Sequence, residues 1–386
     1  MTERRFPLWI LILLPVVMLG LVVASLSQGG LLDALRRGVP PVEELTFERV
    51  VLRPGEIHVD VVNGGPDPVT VAQVMVDEAF WDFKIAPDPT IVRLGRATIS
   101  VPYPWVKGEA HQVVLLSSTG LTFEHEIPVA ELTPEVGPRF FGVFALIGLY
   151  VGVIPVAIGL LWYPALRRLE QRWLNFVLAL TVGLLVFLGV DALHEALEAA
   201  AQVGGAFQGT MLVAVGSLGA LLTIELVSRS RVRREGAQGR AAVAWLIALS
   251  IGVHNLGEGL AIGAAYALGE AALGAFLIIG FMLHNTTEGL GIVAPIARDR
   301  PAIGRLAALG LLAGAPTILG AWIGGLAYTP LFATLFLSIG AGAIAQVVIV
   351  LWRVMGDGAS RFAPATAGGV LVGLLVMYAT GLLVAV

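Results

Sequence analysis

The sequence predicts an all-α polytopic membrane bundle of eight helices with inverted-repeat character, preceded by an anchor helix and an extracytoplasmic antiparallel β-sandwich. Three observations predict it. Apolar residues fill 57% of 386 positions and charged residues only 13%, whereas a soluble domain carries about 25% charge; mean hydropathy is +0.85. Runs of mainly apolar residues recur at about the 20-residue length that carries a helix across a hydrocarbon core. One stretch, 43–132, breaks that pattern with short alternating segments. The net charge of −4 and the lack of a basic stripe give no reason to expect a nucleic acid partner. The absence of cysteine excludes disulfides, thiolate metal sites and cysteine nucleophiles.

The first apolar run, Pro7 to Ser27, follows Arg4 and Arg5. It exceeds the 7–15 residues of a usual signal-peptide core and lacks a clean A-x-A cleavage site. Residues 1–30 therefore read as an uncleaved signal-anchor. The β-domain expectation rests on segments such as Glu56-Ile-His-Val-Asp-Val-Val62 and Gln112-Val-Val-Leu-Leu116. Turn signals separate them at Asn63-Gly-Gly-Pro-Asp-Pro68, Pro87-Asp-Pro89 and Ser117-Ser-Thr-Gly120. From 138 to 386 follow runs at roughly 140–162, 174–199, 208–228, 241–265, 271–295, 303–326, 331–352 and 365–386.

Arginine placement orients the bundle. With the N-terminus cytoplasmic, Arg167, Arg168, Arg172, Arg229, Arg231, Arg233, Arg234, Arg240, Arg298, Arg300, Arg305, Arg353 and Arg361 all fall inside. The short loops near 200–207, 266–270 and 327–330 hold no Lys or Arg. The β-domain and the C-terminus then lie on the side of the membrane away from the cytoplasm.

Ionisable groups in hydrocarbon cost about 2.5–3.5 kcal/mol each at a helix centre, so those inside the runs need a reason. Two consecutive runs carry matched sets, His254-Asn-Leu-Gly-Glu-Gly259 and His284-Asn-Thr-Thr-Glu-Gly289. Positions i, i+1 and i+4 of a helix project together, so His254, Asn255 and Glu258 share a face, as do His284, Asn285 and Glu288. A connection of about five residues makes the two helices antiparallel neighbours, bringing both sets to one depth. Imidazole and carboxylate suit borderline divalent metals, and two carboxylates neutralise one such ion. A pair of interhelical hydrogen-bonded clusters is the structural alternative.

A third cluster, Asp191, His194, Glu195 and Glu198, occupies the outer half of the second bundle run. Asp191, His194 (or Glu195) and Glu198 share a stripe, readable as an ion-collecting entrance or as a polar helix end. Gln346 either faces the pathway or makes one helix–helix hydrogen bond, and Glu225 is either interfacial or functional. His58, His111 and His125 read as surface residues of the β-domain. In Phe123-Glu-His-Glu126 the imidazole points opposite to both carboxylates.

On these residues the chain resembles the ZIP (ZRT/IRT-like) metal transporter family, especially its bacterial branch, over about 138–386. The resemblance implies eight helices with both ends outside, and His254, Glu258, His284 and Glu288 as primary ligands. Asn255 and Asn285 would join the glutamates in a second, adjacent metal position, and Asp191 and His194 would match polar positions on the second helix. It implies transport of Zn²⁺ or another divalent ion (iron, manganese, cobalt, cadmium) by an elevator-type motion, with no prosthetic group. The expected partners are the ion, the lipid bilayer and, for assembly, a second copy of the chain. Two departures stand out: the family's usual motif proline is Gly257 in one set and Thr287 in the other, and the loop after the third helix is Arg-rich without histidine. The rival expectations are an intramembrane zinc hydrolase, for which His194-Glu-Ala-Leu-Glu198 lacks the second histidine of H-E-x-x-H, and a membrane metal sensor.

Overall fold

A computed structural model describes residues 8–27, 41–133, 135–232, 236–267, 271–327, 329–355 and 363–384. It divides into two units, Met1–Val42 and Glu43–Val386. In the first, α1 spans Leu8–Ser27 with Pro15 inside it. It is apolar on every face, as a helix without an aqueous side must be.

The second unit begins with nine strands: β1 (Leu45–Arg53), β2 (Glu56–Asn63), β3 (Val69–Val76), β4 (Ala79–Trp81), β5 (Lys84–Ala86), β6 (Thr90–Ile91), β7 (Arg96–Val101), β8 (His111–Ser117) and β9 (Thr122–Ile127). They form two antiparallel sheets, β1-β2-β7-β5 and β4-β3-β8-β9, with β6 paired to β3. Alternate residues of both, including Val59 and Ile99 from one and Val74 and Leu115 from the other, bury into a shared core, as period-two patterning dictates. The turns fall where the sequence placed them. Asn63, fully buried, fixes the first by donating to Asp67 O and Ile91 O (2.8 Å each) and accepting from Gly65 N–H.

The helices that follow are α2 (Pro138–Gly148), α3 (Ile154–Leu160), α4 (Tyr163–Leu166), α5 (Gln171–Ala201), α6 (Gly209–Val232), α7 (Gly236–Ala267), α8 (Ala271–Val293), α9 (Ile303–Gly314), α10 (Pro316–Ala327), α11 (Pro330–Val354) and α12 (Pro364–Val384). Seven helical stretches among the described residues are long and apolar enough to cross a membrane, and two shorter apolar ones lie at Leu13–Val22 and Pro364–Ala379. That is the make-up of an integral membrane protein. Two runs expected to be continuous are broken. Between α2 and α3 the chain makes a π-helical turn, Leu149–Val153, and α9 stops at Gly314 before α10 starts at Pro316. Proline supplies no N–H and clashes with the preceding turn, so Pro155 and Pro316 mark both breaks.

Packing sorts the helices into two sets. One holds α2, α3, α7, α8, α9 and α10; the other holds α5, α6, α11 and α12, and the sets meet chiefly along α7 and α11. Within the first set, backbones touch through glycine. A Cβ on Gly259 or Gly263 of α7 would collide with Thr317 O or Ala321 O of α10, and one on Gly320 or Gly324 would collide with Leu256 O or Leu260 O of α7. Gly289 of α8 and Gly159 of α3 interlock in the same way with Val156 O and Thr286 O. Small residues permit this approach where no hydrophobic force drives helices together.

The β-domain rests on one end of the bundle. Glu44 Oε1 accepts from Gly205 N–H at 2.7 Å, Gly64 O accepts from Ala206 N–H at 3.2 Å, and Arg49 donates to Leu326 O at 3.3 Å. Two of these three contacts go to the α5–α6 connection, where a Cβ on Gly64 would sit 2.6 Å from Gly204 Cα.

The glycine contacts predict a stability result. Gly320→Val overpacks the α7–α10 seam and should cost about 1–3 kcal/mol, seen as a lower Tm of the detergent-solubilised chain. Gly219→Ala, where nothing lies within 4 Å, should leave Tm unchanged.

Candidate metal centre

Both motif helices fold without a break through their motifs. Thr287, in one proline position, returns its hydroxyl to His284 O at 2.6 Å, the back-bond open to a helical threonine. Gly257, in the other, has room: a Cβ there would meet Leu337 at 3.6 Å.

The two sets converge as their spacing requires. His254, Glu258 and His284 offer ligand atoms all within 4.8 Å of one another, and all six motif side chains are buried. Glu258 is the hub. Its Oε1 contacts the Nε2 atoms of both His284 and His254, the latter 3.2 Å away, and its Oε2 accepts from Asn285 Nδ2 at 2.9 Å. Glu288 Oε2 accepts only from Asn255 Nδ2, at 3.2 Å.

The two asparagines read the helix breaks. Asn285 Nδ2 also donates to Val151 O (3.0 Å) in the π-turn, and Asn255 Nδ2 to Ala313 O (3.1 Å) at the end of α9. A carbonyl can only accept, which fixes each amide's orientation. Helix irregularities strand carbonyls without a helical donor, and these side chains supply one. The α7/α9–α10 half thus repeats in the α8/α2–α3 half.

Three buried oxygens of this cluster have no hydrogen-bond partner among the described residues: Asn255 Oδ1, Asn285 Oδ1 and Glu288 Oε1. Unsatisfied buried polar atoms cost about 1–3 kcal/mol each. Each can donate a lone pair to a cation, and beside the two imidazoles they form a chemically consistent ligand set for a divalent metal.

The remaining sequence candidates separate. Of the α5 cluster, Asp191 and His194 are exposed, His194 pairing with Glu198 at 3.2 Å. Glu195 is half-buried and lines a cavity together with Leu260 of α7. Gln346 is fully buried and makes a helix–helix hydrogen bond, donating to Glu225 at 3.3 Å; Arg353 holds the same, buried carboxylate at 2.9 Å.

Two β-domain histidines are not surface residues. His111 is buried, with its Nδ1 2.7 Å from Asp77 Oδ2. Although burial works against the charge of Asp77, hydrogen bonds from Tyr103, Gln112 N–H and His111 hold its carboxyl below the usual range. His125 is half-buried and stacks on Phe47 at 5.1 Å. Sequence reasoning also missed the two helix breaks, whose visible marks were Gly152-Val-Ile-Pro155 and Gly314-Ala-Pro316.

No known family model matches this chain, and no curated protein matches it.

Losing an asparagine that bridges a ligand carboxylate to a helix break should weaken metal binding. Asn285→Leu is expected to reduce Zn²⁺ affinity of the purified chain about 10- to 100-fold, read by calorimetric titration. Unaltered affinity would remove Asn285 from the site.

Proposed function

We propose that this protein moves a divalent transition-metal ion, zinc foremost and otherwise iron, manganese, cobalt or cadmium, across the membrane toward the cytoplasm. The observation that carries the reading is the convergence of the two His/Asn/Glu sets, with three oxygens left without partners among the described residues. Two glutamates neutralise one divalent ion, so a loaded site is far cheaper to hold in low dielectric than its parts.

The motifs and their order support placing the chain with the ZIP family, with α2–α4, α5, α6, α7, α8, α9–α10, α11 and α12 as its eight spans. The two helix sets fit an elevator-type exchange in which the glycine-locked, site-bearing set moves against α5, α6, α11 and α12. Binding at the interface of two repeats is a general arrangement of secondary transporters. Arginine bias supports a cytoplasmic N-terminus, with the two-sheet domain a β-sandwich outside the inner membrane.

A second reading has one observation in its favour: His254, Glu258 and His284 form a His₂Glu set, the number of protein ligands a catalytic zinc keeps. Glu288 and the two amide oxygens add further donors beside it, which suits full ligation of a passing ion better than an open water position.

In proteoliposomes, replacing Glu258 and Glu288 together by Ala should abolish Zn²⁺ flux that the wild-type chain supports. Undiminished flux in the double variant would overturn the assignment; metal-dependent lipid or peptide cleavage by a wild-type chain without flux would favour the hydrolase.

A further inference from the structure

Between the β-domain and the bundle lies a cavity of about 690 Å³. Its roof comes from the β-domain: Glu44 to Phe47 at the start of β1, and His125 of β9. Its floor and walls include Glu195 and Glu198 of α5 and Leu260 and Ala261 of α7, which directly follow the His254–Gly259 motif. The cavity therefore opens onto the helix turn next to Glu258.

Its polar side chains differ in how they are committed. Glu44 is engaged in docking, its Oε1 bonded to Gly205 N–H. Glu198 pairs with His194 at 3.2 Å, both well exposed. By contrast, His125 and Glu195 have no hydrogen-bond or ion-pair partner among the described residues. His125 is fixed by its stack on Phe47, while its neighbours Glu124 and Glu126 face the other way. An imidazole and a carboxylate lining one cavity without partners are donor types that suit a borderline divalent cation.

We infer that this cavity is a metal-loading site, with His125 as a ligand from the roof and Glu195 as a ligand from the floor, occupied by the ion before it reaches the buried motif cluster. The inference deepens the transport reading and rests on it. Burial lowers the pKa of His125. Glu195 lines the same cavity as Leu260, which lies two residues past Glu258 on α7. The β-domain touches both helix sets: Glu44 and Gly64 bond to the α5–α6 connection, Arg49 bonds to Leu326 O, and β1 packs on α7. The β-domain then has a role in the ion's path, and is more than an appendage.

The test uses His125→Phe in the full chain, which keeps an aromatic ring against Phe47 and removes the ligand nitrogen. In proteoliposomes, KM for Zn²⁺ uptake should rise on the order of tenfold with the maximal rate largely kept, the pattern for a lost binding contact. A KM equal to wild type overturns the inference while leaving the transport reading intact. Zn²⁺ equilibrium dialysis supplies a readout independent of flux. The chain lacking the carboxylates of Glu258 and Glu288 should retain a weaker site, and adding His125→Phe should remove it. If that background binds no Zn²⁺, or binds it equally with and without His125, the loading site is refuted. Absence of flux in the wild-type chain would instead strike at the transport reading.

Discussion

The structure is organised around one constraint: a carboxylate pair has been placed where water cannot solvate it. Glu258 and Glu288 are both fully enclosed, and an isolated charge in such a place is far costlier than any single packing contact can repay. The chain meets the constraint with two imidazoles and two amides drawn from the same helices. The amide nitrogens in turn donate to carbonyls at the breaks of two neighbouring helices. The π-turn at Leu149–Val153 and the gap at Ala315 are thus consequences of the site. An intact helix offers no free carbonyl at mid-span.

The same constraint accounts for the glycines that end each motif. Amide-to-carbonyl bonds of about 3 Å require the partner helix to lie against the motif helix with little side chain between. Gly259 faces α10 and Gly289 faces α3, each one residue past its glutamate. Close packing and polar satisfaction are therefore one design, repeated in two halves of the bundle.

Much of this was legible in the sequence, and the parts that were not share a cause. Hydropathy gave the membrane helices because hydrocarbon thickness fixes their length. Spacing gave the motif because i, i+1 and i+4 determine a face whatever lies opposite. Alternation gave β2, β8 and the outward turn of Glu124 and Glu126. What periodicity cannot give is the identity of the surface a face meets. Asp191, His194 and Glu195 lie on adjoining angles of α5, and only the tertiary packing leaves Glu195 the least exposed of the three. His125 was correctly aimed away from its acidic neighbours, yet whether that direction led to solvent or to the bundle depended on how the domain docks. Gln346 found Glu225, 121 positions away, a pairing no local rule anticipates. The helix breaks were written in Gly152, Pro155, Gly314 and Pro316, but proline in a membrane helix often leaves the run continuous.

The two glutamates are not equivalent, and the difference bears on how an ion would be released. Glu258 is saturated by His284, His254 and Asn285, whereas Glu288 accepts one bond and keeps Oε1 free. On the transport reading, an incoming cation must displace imidazole contacts from Glu258 to complete its ligation. Binding therefore exchanges internal bonds for metal bonds instead of simply adding them, which lowers net affinity below what six ligands could give. For a carrier this is the useful outcome. A cage that gained its full ligation energy would trap the ion, and an empty cage with no internal bonds could not cross the hydrocarbon to reload. On the transport reading, the Glu258 hub is what makes the unloaded site tolerable, and the half-free Glu288 is what makes it receptive.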